Sequence, residues 1–165
     1  MDLKKLIRDV PDFPIPGVLF RDMSPLLKNP EALEFVSDEL IKKIDLSQVD
    51  LFAGIESRGF ILAAHMAARH RKGFLPIRKA GKLPPPTVKV KYDLEYGQAE
   101  IELPPGQEKI IIVDDVLATG GTLKAAIQLA EKAGYNVIDA LVLVNLTFLN
   151  QLEFKGRKVP SLIQY

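Results

Sequence analysis

The sequence predicts an α/β protein with a mainly parallel central sheet and flanking helices. Three observations carry this. Ile110 to Val113 is a continuous β-branched run, of the kind found in a parallel strand covered on both faces. Val137 to Val144 is a second apolar run, broken only by Asp139. Segments with helical spacing of apolar residues alternate with these strands, which is the pattern of βαβ units.

In chain order, Leu3 to Arg8 reads as a short helix ended by Pro11. Pro14, Pro16 and Gly17 then predict an irregular, extended segment up to Pro25. Leu33, Val36, Leu40, Ile41 and Ile44 recur at helical spacing, so 30–44 is an amphipathic helix with Pro30 in its first turn and Asn29 as its cap. A buried strand follows at 49–55, a helix at 59–71, and a strand at 74–78 after Gly73. The run 79–88 holds Pro84, Pro85 and Pro86, so no regular structure is expected there. Alternation from Val88 to Leu103 around Glu95, Tyr96 and Gly97 predicts two strands joined by a turn. The run 110–113 leads through a Gly-rich turn into a helix at 122–133, stopped by Gly134, and then to the strand 137–144. No repeat, linker or composition shift divides the chain, so residues 1–165 are expected to form one domain.

Composition excludes several classes of function. The 165 residues include 47% hydrophobic and 26% charged, enough apolar material for a real core. Twenty-two basic against 21 acidic residues give a formal charge of +1, which provides neither a nucleic-acid footprint nor a polybasic membrane anchor. The longest apolar stretches, broken by His65 and Asn145, fall short of the roughly 20 residues a membrane span needs. Met1 to Val10 lacks the apolar core of a signal peptide. Cysteine is absent, which suits a reducing cytoplasm and rules out disulfides and thiolate metal sites. His65 and His70 share a helix with no ligand partners nearby in sequence and read as structural.

The chemistry concentrates in Ile110-Ile111-Ile112-Val113-Asp114-Asp115-Val116-Leu117-Ala118-Thr119-Gly120-Gly121-Thr122. A buried strand ends in two carboxylates, and a loop of small residues then enters a helix. In open α/β sheets ligands sit beyond the carboxyl ends of the strands. Gly120 and Gly121 allow close main-chain approach to an anion, Thr119 and Thr122 offer hydroxyls, and the free N–H groups at the helix start favour phosphate. Asp114 and Asp115 repel a phosphate and instead suit ribose hydroxyls or magnesium. Together these residues describe a ribose 5-phosphate ligand; an ordinary strand–turn–helix junction with a solvated Asp pair is the other reading. The segment has neither the Gly-x-Gly-x-x-Gly of dinucleotide sites nor the Gly-Lys-Ser/Thr of triphosphate loops.

This segment resembles the phosphoribosyl-pyrophosphate motif of the type I phosphoribosyltransferases, in the version carried by the adenine-specific family. That resemblance implies the family's fold with a small N-terminal hood (about residues 1–30) that receives the base. It also implies Asp114 and Asp115 on the ribose and Ala118, Thr119, Gly120, Gly121 and Thr122 around the 5-phosphate. Phe13-Pro14-x-Pro16-Gly17-x-x-Phe20-Arg21-Asp22-x-Ser24-Pro25 resembles the family's N-terminal signature. Phe20 is either a stacking face for a purine or plain core, and the resemblance favours stacking. Main-chain groups near Leu19 and Arg21 would then read the edge of the base, or Arg21 would pair with Asp22 or Glu34 as a clamp.

Glu56-Ser57-Arg58-Gly59-Phe60 follows a strand and opens a helix, a good pyrophosphate position. The resemblance places the family's pyrophosphate loop here, with a cis peptide between Glu56 and Ser57, although many relatives have Asp at the position of Glu56. Arg78, Lys79 and Lys82 beside Gly81 form a solvated basic loop or, opposite that loop, its counter-charges; Pro85 stands where several members carry Gly. Leu94-Glu95-Tyr96-Gly97 resembles the family's mobile loop, with Glu95 either a proton-transfer group or a solvated hairpin acid. Asn145-Leu146-Thr147 matches the apolar wall of the base pocket, with Leu146 facing the ring.

The resemblance runs from about Val10 to Tyr165. It implies transfer of phosphoribose from phosphoribosyl pyrophosphate to adenine, giving AMP and pyrophosphate, with magnesium carried by the substrate, in a homodimer. The alternatives are the same reaction on hypoxanthine, guanine or xanthine, and a non-catalytic sensor of the sugar ligand.

Overall fold

The computed structural model describes residues 1–94 and 97–165. A 3₁₀ turn, Leu3–Leu6, precedes strand β1 (Arg8–Pro11), which pairs antiparallel with β2 (Leu19–Asp22). The expected helix to Arg8 therefore stops after one turn. So short a helix gains little from its own hydrogen bonds, whereas Arg8 to Pro11 gain a ladder partner. The segment expected to be irregular up to Pro25 holds β2 and the start of a one-turn helix, α1 (Ser24–Leu27).

Helix α2 (Pro30–Ile41) starts where the sequence indicated, with the Asn29 side chain accepting the Ala32 N–H at 3.1 Å. It ends before Ile44, because Lys43 and Ile44 bond back three residues, to Leu40 and Ile41, and tighten the chain into turns. Strand β3 (Leu51–Ile55), helix α3 (Arg58–Arg69) and strand β4 (Gly73–Lys79) form a first βαβ unit. A hairpin follows, β5 (Val88–Leu94) and β6 (Gly97–Leu103). Strand β7 (Lys109–Leu117), helix α4 (Gly121–Lys132) and strand β8 (Asn136–Asn145) form a second βαβ unit. The chain then makes β9 (Glu153–Phe154), β10 (Arg157–Lys158) and β11 (Ser161–Gln164), which the sequence pattern did not indicate.

Seven strands form the central sheet in the order β11-β8-β7-β3-β4-β6-β5. The first five are parallel and the β6–β5 hairpin adds antiparallel at one edge, so the sheet is mainly parallel as expected. Strand β7 shows why its residues are all apolar: Ile110 and Ile112 pack with α4 on one face, and Ile111 and Val113 with α2 and α3 on the other. The strand runs on past Val113, through both carboxylates to Leu117, still paired with β8. Asp114 and Asp115 are thus held by sheet hydrogen bonding and not by a free loop.

Candidate active site

Two cavities adjoin at the carboxyl end of the parallel strands. The first, about 360 Å³, is lined by polar groups of three segments: Glu56, Ser57 and Arg58 after β3, Lys79 at the end of β4, and Asp114 to Gly120 with Thr122 from β7 into α4. The second, about 440 Å³ and mainly apolar, lies between Gly17, Val18, Leu19 and Arg21 of the N-terminal hairpin and Leu146, Phe148 and Leu149 beyond β8. Ala118 and Thr119 line both.

The first cavity is built around opposed charges. Asp115 is buried, and its Oδ2 lies 2.5 Å from the Arg58 Nε. Asp114 accepts the Asp115 N–H on Oδ1 at 2.9 Å. Burial, and then the Asp115 charge beside it, push the Asp114 carboxyl well above its ordinary range, against a smaller pull from Arg58. The peptide bond between Glu56 and Ser57 is cis, as the resemblance implied. Glu56 turns toward the end of β4, where its Oε2 accepts the Lys79 N–H at 2.9 Å and the Arg78 Nε–H at 3.3 Å. The Lys79 N–H first, with Arg78, holds the Glu56 carboxyl below its ordinary value despite partial burial.

At the start of α4, Gly120 has φ +93°, a conformation open to glycine and strained for other residues. Gly121 is already helical and exposed. The loop 118–120 therefore directs the unpaired N–H groups of a twelve-residue helix at the first cavity.

The basic loop is organised from within. Glu102, 1% exposed, accepts the Lys82 and Leu83 N–H groups, each at 2.7 Å. Of its three cations, Lys79 lines the first cavity, Arg78 is paired with Glu56, and the Lys82 carbonyl accepts from Arg78 at 3.5 Å.

Leu19, Arg21 and Leu146 all line the second cavity. Arg21 pairs with Asp9 and lies 3.8 Å over the Tyr165 ring; neither Asp22 nor Glu34 is its partner. Asp22 instead binds Arg8, at 2.7 Å, and caps Ser24. Phe20 is not among the lining residues. Its ring packs edge-to-face on Phe13, 5.2 Å between centroids, and lies 5.3 Å beneath the Arg58 guanidinium. Its chain neighbours Leu19 and Arg21 line the second cavity, and Arg58 lines the first. Val18, Phe148 and Leu149 also form the walls, and no sequence periodicity marks them. Glu95 lies outside the described residues. His70 joins α3 to α2 through the Ser37 hydroxyl at 3.2 Å, away from both cavities.

The parallel sheet carries paired carboxylates into the start of a helix, and residues 25–156 match the phosphoribosyl transferase domain family, which places the chain in a phosphoribosyl-transferring class. The chain is 73% identical to the adenine phosphoribosyltransferase of Bdellovibrio bacteriovorus over the whole length of both. It is 48% identical to that of Pseudothermotoga lettingae, again over the whole of both chains. Among solved structures, the adenine phosphoribosyltransferase of Thermoanaerobacter pseudethanolicus superposes with a TM-score of 0.89 at 39% identity, covering 99% of this chain and 98% of that one. The Saccharomyces cerevisiae enzyme, complexed with adenine and an imino-altritol bisphosphate, gives 0.85 at 35% identity, covering 98% and 96%. The chain belongs to the adenine phosphoribosyltransferase family.

Proposed function

We propose that the protein transfers the 5-phosphoribosyl group of phosphoribosyl pyrophosphate to adenine, releasing pyrophosphate and forming AMP. The observation that carries this reading is the pair of cavities joined at Ala118 and Thr119, one polar and charged, the other apolar. A sugar phosphate suits the first and a purine the second, with the anomeric carbon at the junction.

In this reading the bond from the anomeric carbon to the diphosphate oxygen breaks, and a bond to the purine nitrogen forms. The sugar passes through an oxocarbenium-like state, so positioning and electrostatics supply most of the acceleration. Asp114 and Asp115 hold the ribose hydroxyls, and positive charge on the sugar favours ionised Asp114. Ala118, Thr119, Gly120, Gly121 and Thr122 receive the 5-phosphate. Ser57, Arg58 and Lys79 receive the diphosphate, with Glu56 tying that loop to β4 and Arg78 and Lys82 adding positive charge behind it. Leu19, Arg21 and Leu146 enclose the base, and Phe20 lies at its edge. Glu95 exchanges the proton of the purine, and its hairpin closes over the sugar to exclude water.

Magnesium belongs to the substrate in this scheme. Carboxylates and cations share the first cavity, which suits a magnesium–diphosphate complex, and the metal would offset charge on the leaving group. Residues 1–30 act as the hood over the base, within one domain spanning 1–165. Exposed Phe74, with Phe60 packed edge-to-face on it, supports a homodimer through this apolar pair. No described helix is long and apolar enough to cross a membrane, which is compatible with a cytoplasmic enzyme.

The test is to incubate the purified protein with magnesium, phosphoribosyl pyrophosphate and each purine base in turn. AMP and pyrophosphate are expected with adenine. Equal efficiency on hypoxanthine or guanine overturns the adenine assignment, and no nucleotide from any base overturns the transfer.

A further inference from the structure

Tyr165 touches both walls of the second cavity through different atoms. Its main chain brackets Leu146: the Tyr165 N–H donates to the Asn145 carbonyl at 3.1 Å, and its carbonyl accepts the Thr147 N–H at 2.9 Å and the Thr147 hydroxyl at 2.7 Å. Leu146 between them is pinned in turn by its N–H bond to the Leu117 carbonyl at 2.9 Å, one residue before the shared wall at Ala118. The Tyr165 ring reaches the opposite wall. The Arg21 guanidinium lies 3.8 Å from its centroid and the Lys4 ammonium 4.8 Å. Both cations come from the N-terminal segment, and Arg21 is only 13% exposed, enclosed by the Asp9 carboxylate and the tyrosine ring. Cations over an aromatic face are attracted to it, more strongly where water is excluded.

We propose that Tyr165 is a positioning residue for the base, which sets the separation of the Arg21 and Leu146 walls by holding one with its ring and the other with its main chain. The proposal rests on the second cavity being the base site. It requires no contact between Tyr165 and the ligand. The ring holds the hairpin down by its cations, and the hairpin presents Leu19 and Arg21 to the base. The sugar-phosphate cavity is held mainly by β3, β4 and β7, and the hairpin meets it only where Phe20 lies beneath Arg58, so loss of the ring should weaken adenine more than phosphoribosyl pyrophosphate.

The experiment compares Tyr165→Leu with Tyr165→Phe, both of which keep the main-chain bonds. Tyr165→Leu is expected to raise KM for adenine about fivefold or more, to leave KM for phosphoribosyl pyrophosphate within about twofold, and to narrow the preference for adenine over hypoxanthine. Tyr165→Phe is expected to restore the parent values, since it keeps the aromatic face. If Tyr165→Leu is too unstable to assay, Tyr165→Met keeps bulk without the π-system and takes its place. An unchanged KM for adenine, or an equal rise for both substrates, overturns the proposal. A bulky substitution in the wall, Leu149→Trp, separates the two failures. If it blocks adenine while Tyr165→Leu does not, the cavity is the base site and Tyr165 does not position it; if it also leaves adenine untouched, the site reading itself fails.

Discussion

Gly59 has no side chain because Asp114 fills the space one would need. A β-carbon on Gly59 would lie 3.0 Å from the Asp114 Oδ1 and 2.8 Å from the Val113 carbonyl oxygen. Gly54 is equally confined, with the Gly59 carbonyl oxygen and the Ala63 β-carbon each 2.9 Å from its own missing β-carbon. These two glycines seat the start of α3 directly on β3 and β7. That close seating brings Arg58, on the helix, against Asp115, on the strand.

Asp114→Asn should make the protein more stable at neutral pH while removing activity. The folded state raises the Asp114 pKa, so its ionisation costs stability as pH rises from the ordinary value of 3.8 toward the raised one. An amide escapes that cost and keeps the oxygen that accepts the Asp115 N–H. The gain in melting temperature is therefore expected near pH 7 and should fade below about pH 4. Asp114→Asn combined with Asp115→Asn should abolish turnover; near-normal turnover in that double variant would refute the ribose assignment.

The two glycines at the start of α4 should separate stability from binding. Gly120→Ala forces a side chain into φ +93°, at a cost of about 1–2 kcal/mol in unfolding experiments. Among the described residues, a β-carbon at Gly121 meets only the Asp93 carbonyl oxygen, at 3.7 Å, an ordinary contact. Gly121→Val should therefore fold normally and lose affinity for phosphoribosyl pyrophosphate and AMP, read by calorimetry. Unchanged AMP affinity would rule out a phosphate cradle at this turn.

Glu56 gives an acid dependence of the opposite sign to Asp114. Its folded pKa lies below the ordinary 4.5, so its contribution is complete above that value and disappears as pH falls through the lowered one. Glu56→Gln should melt below the parent protein at neutral pH, and the two should converge in acid. A gap that does not shrink at all as pH falls below 4.5 would mean that the charge is not what holds Lys79 and Arg78.

Glu95→Gln should lower turnover more than it weakens binding of either substrate. A tenfold loss corresponds to about 1.4 kcal/mol of transition-state stabilisation. Unaltered turnover with an unaltered pH profile would remove Glu95 from the proton transfer.

Phe20→Ala should weaken adenine, hypoxanthine and guanine together, by roughly 1–3 kcal/mol if the ring stacks on the base, without reversing their order. Every purine has a similar face, and selectivity resides in edge contacts that leave buried groups unpaired with a wrong base. The loss also frees Arg58 from the ring 5.3 Å beneath it, so KM for phosphoribosyl pyrophosphate should rise with it. A variant that exchanges one base for another would make Phe20 a specificity residue.

The sheet and the lining of the first cavity were the most legible parts of the sequence, because both are written locally. Ile110 to Val113 declare a covered strand within four residues, and Asp114 to Thr122 hold carboxylates, small residues and helix start in one short run. What stayed hidden depends on distant partners. Arg21 finds Asp9 and Tyr165 through the hairpin and the sheet edge, and nothing near Arg21 in the sequence announces either. Gly54 and Gly59 are recognisable as special only once α3 lies on β7. Strands β9 to β11 are too short for alternation to show, and Val18, Phe148 and Leu149 are ordinary exposed apolar residues until the two loops meet. The opening helix was misjudged for the complementary reason: local propensity favoured it, and pairing of Arg8 to Pro11 with Leu19 to Asp22 prevailed.

Ala118 and Thr119 belong to the walls of both cavities, and this has a consequence for traffic through the enzyme. In the proposed reading a finished nucleotide lies across the junction and covers the ground of both substrates, so it is expected to compete with each of them. In the same reading pyrophosphate rests on the Arg58 side and does not cross that junction. The nucleotide then spans both chambers and the diphosphate only one, so the smaller product is expected to leave first and the larger one to govern when the next cycle begins.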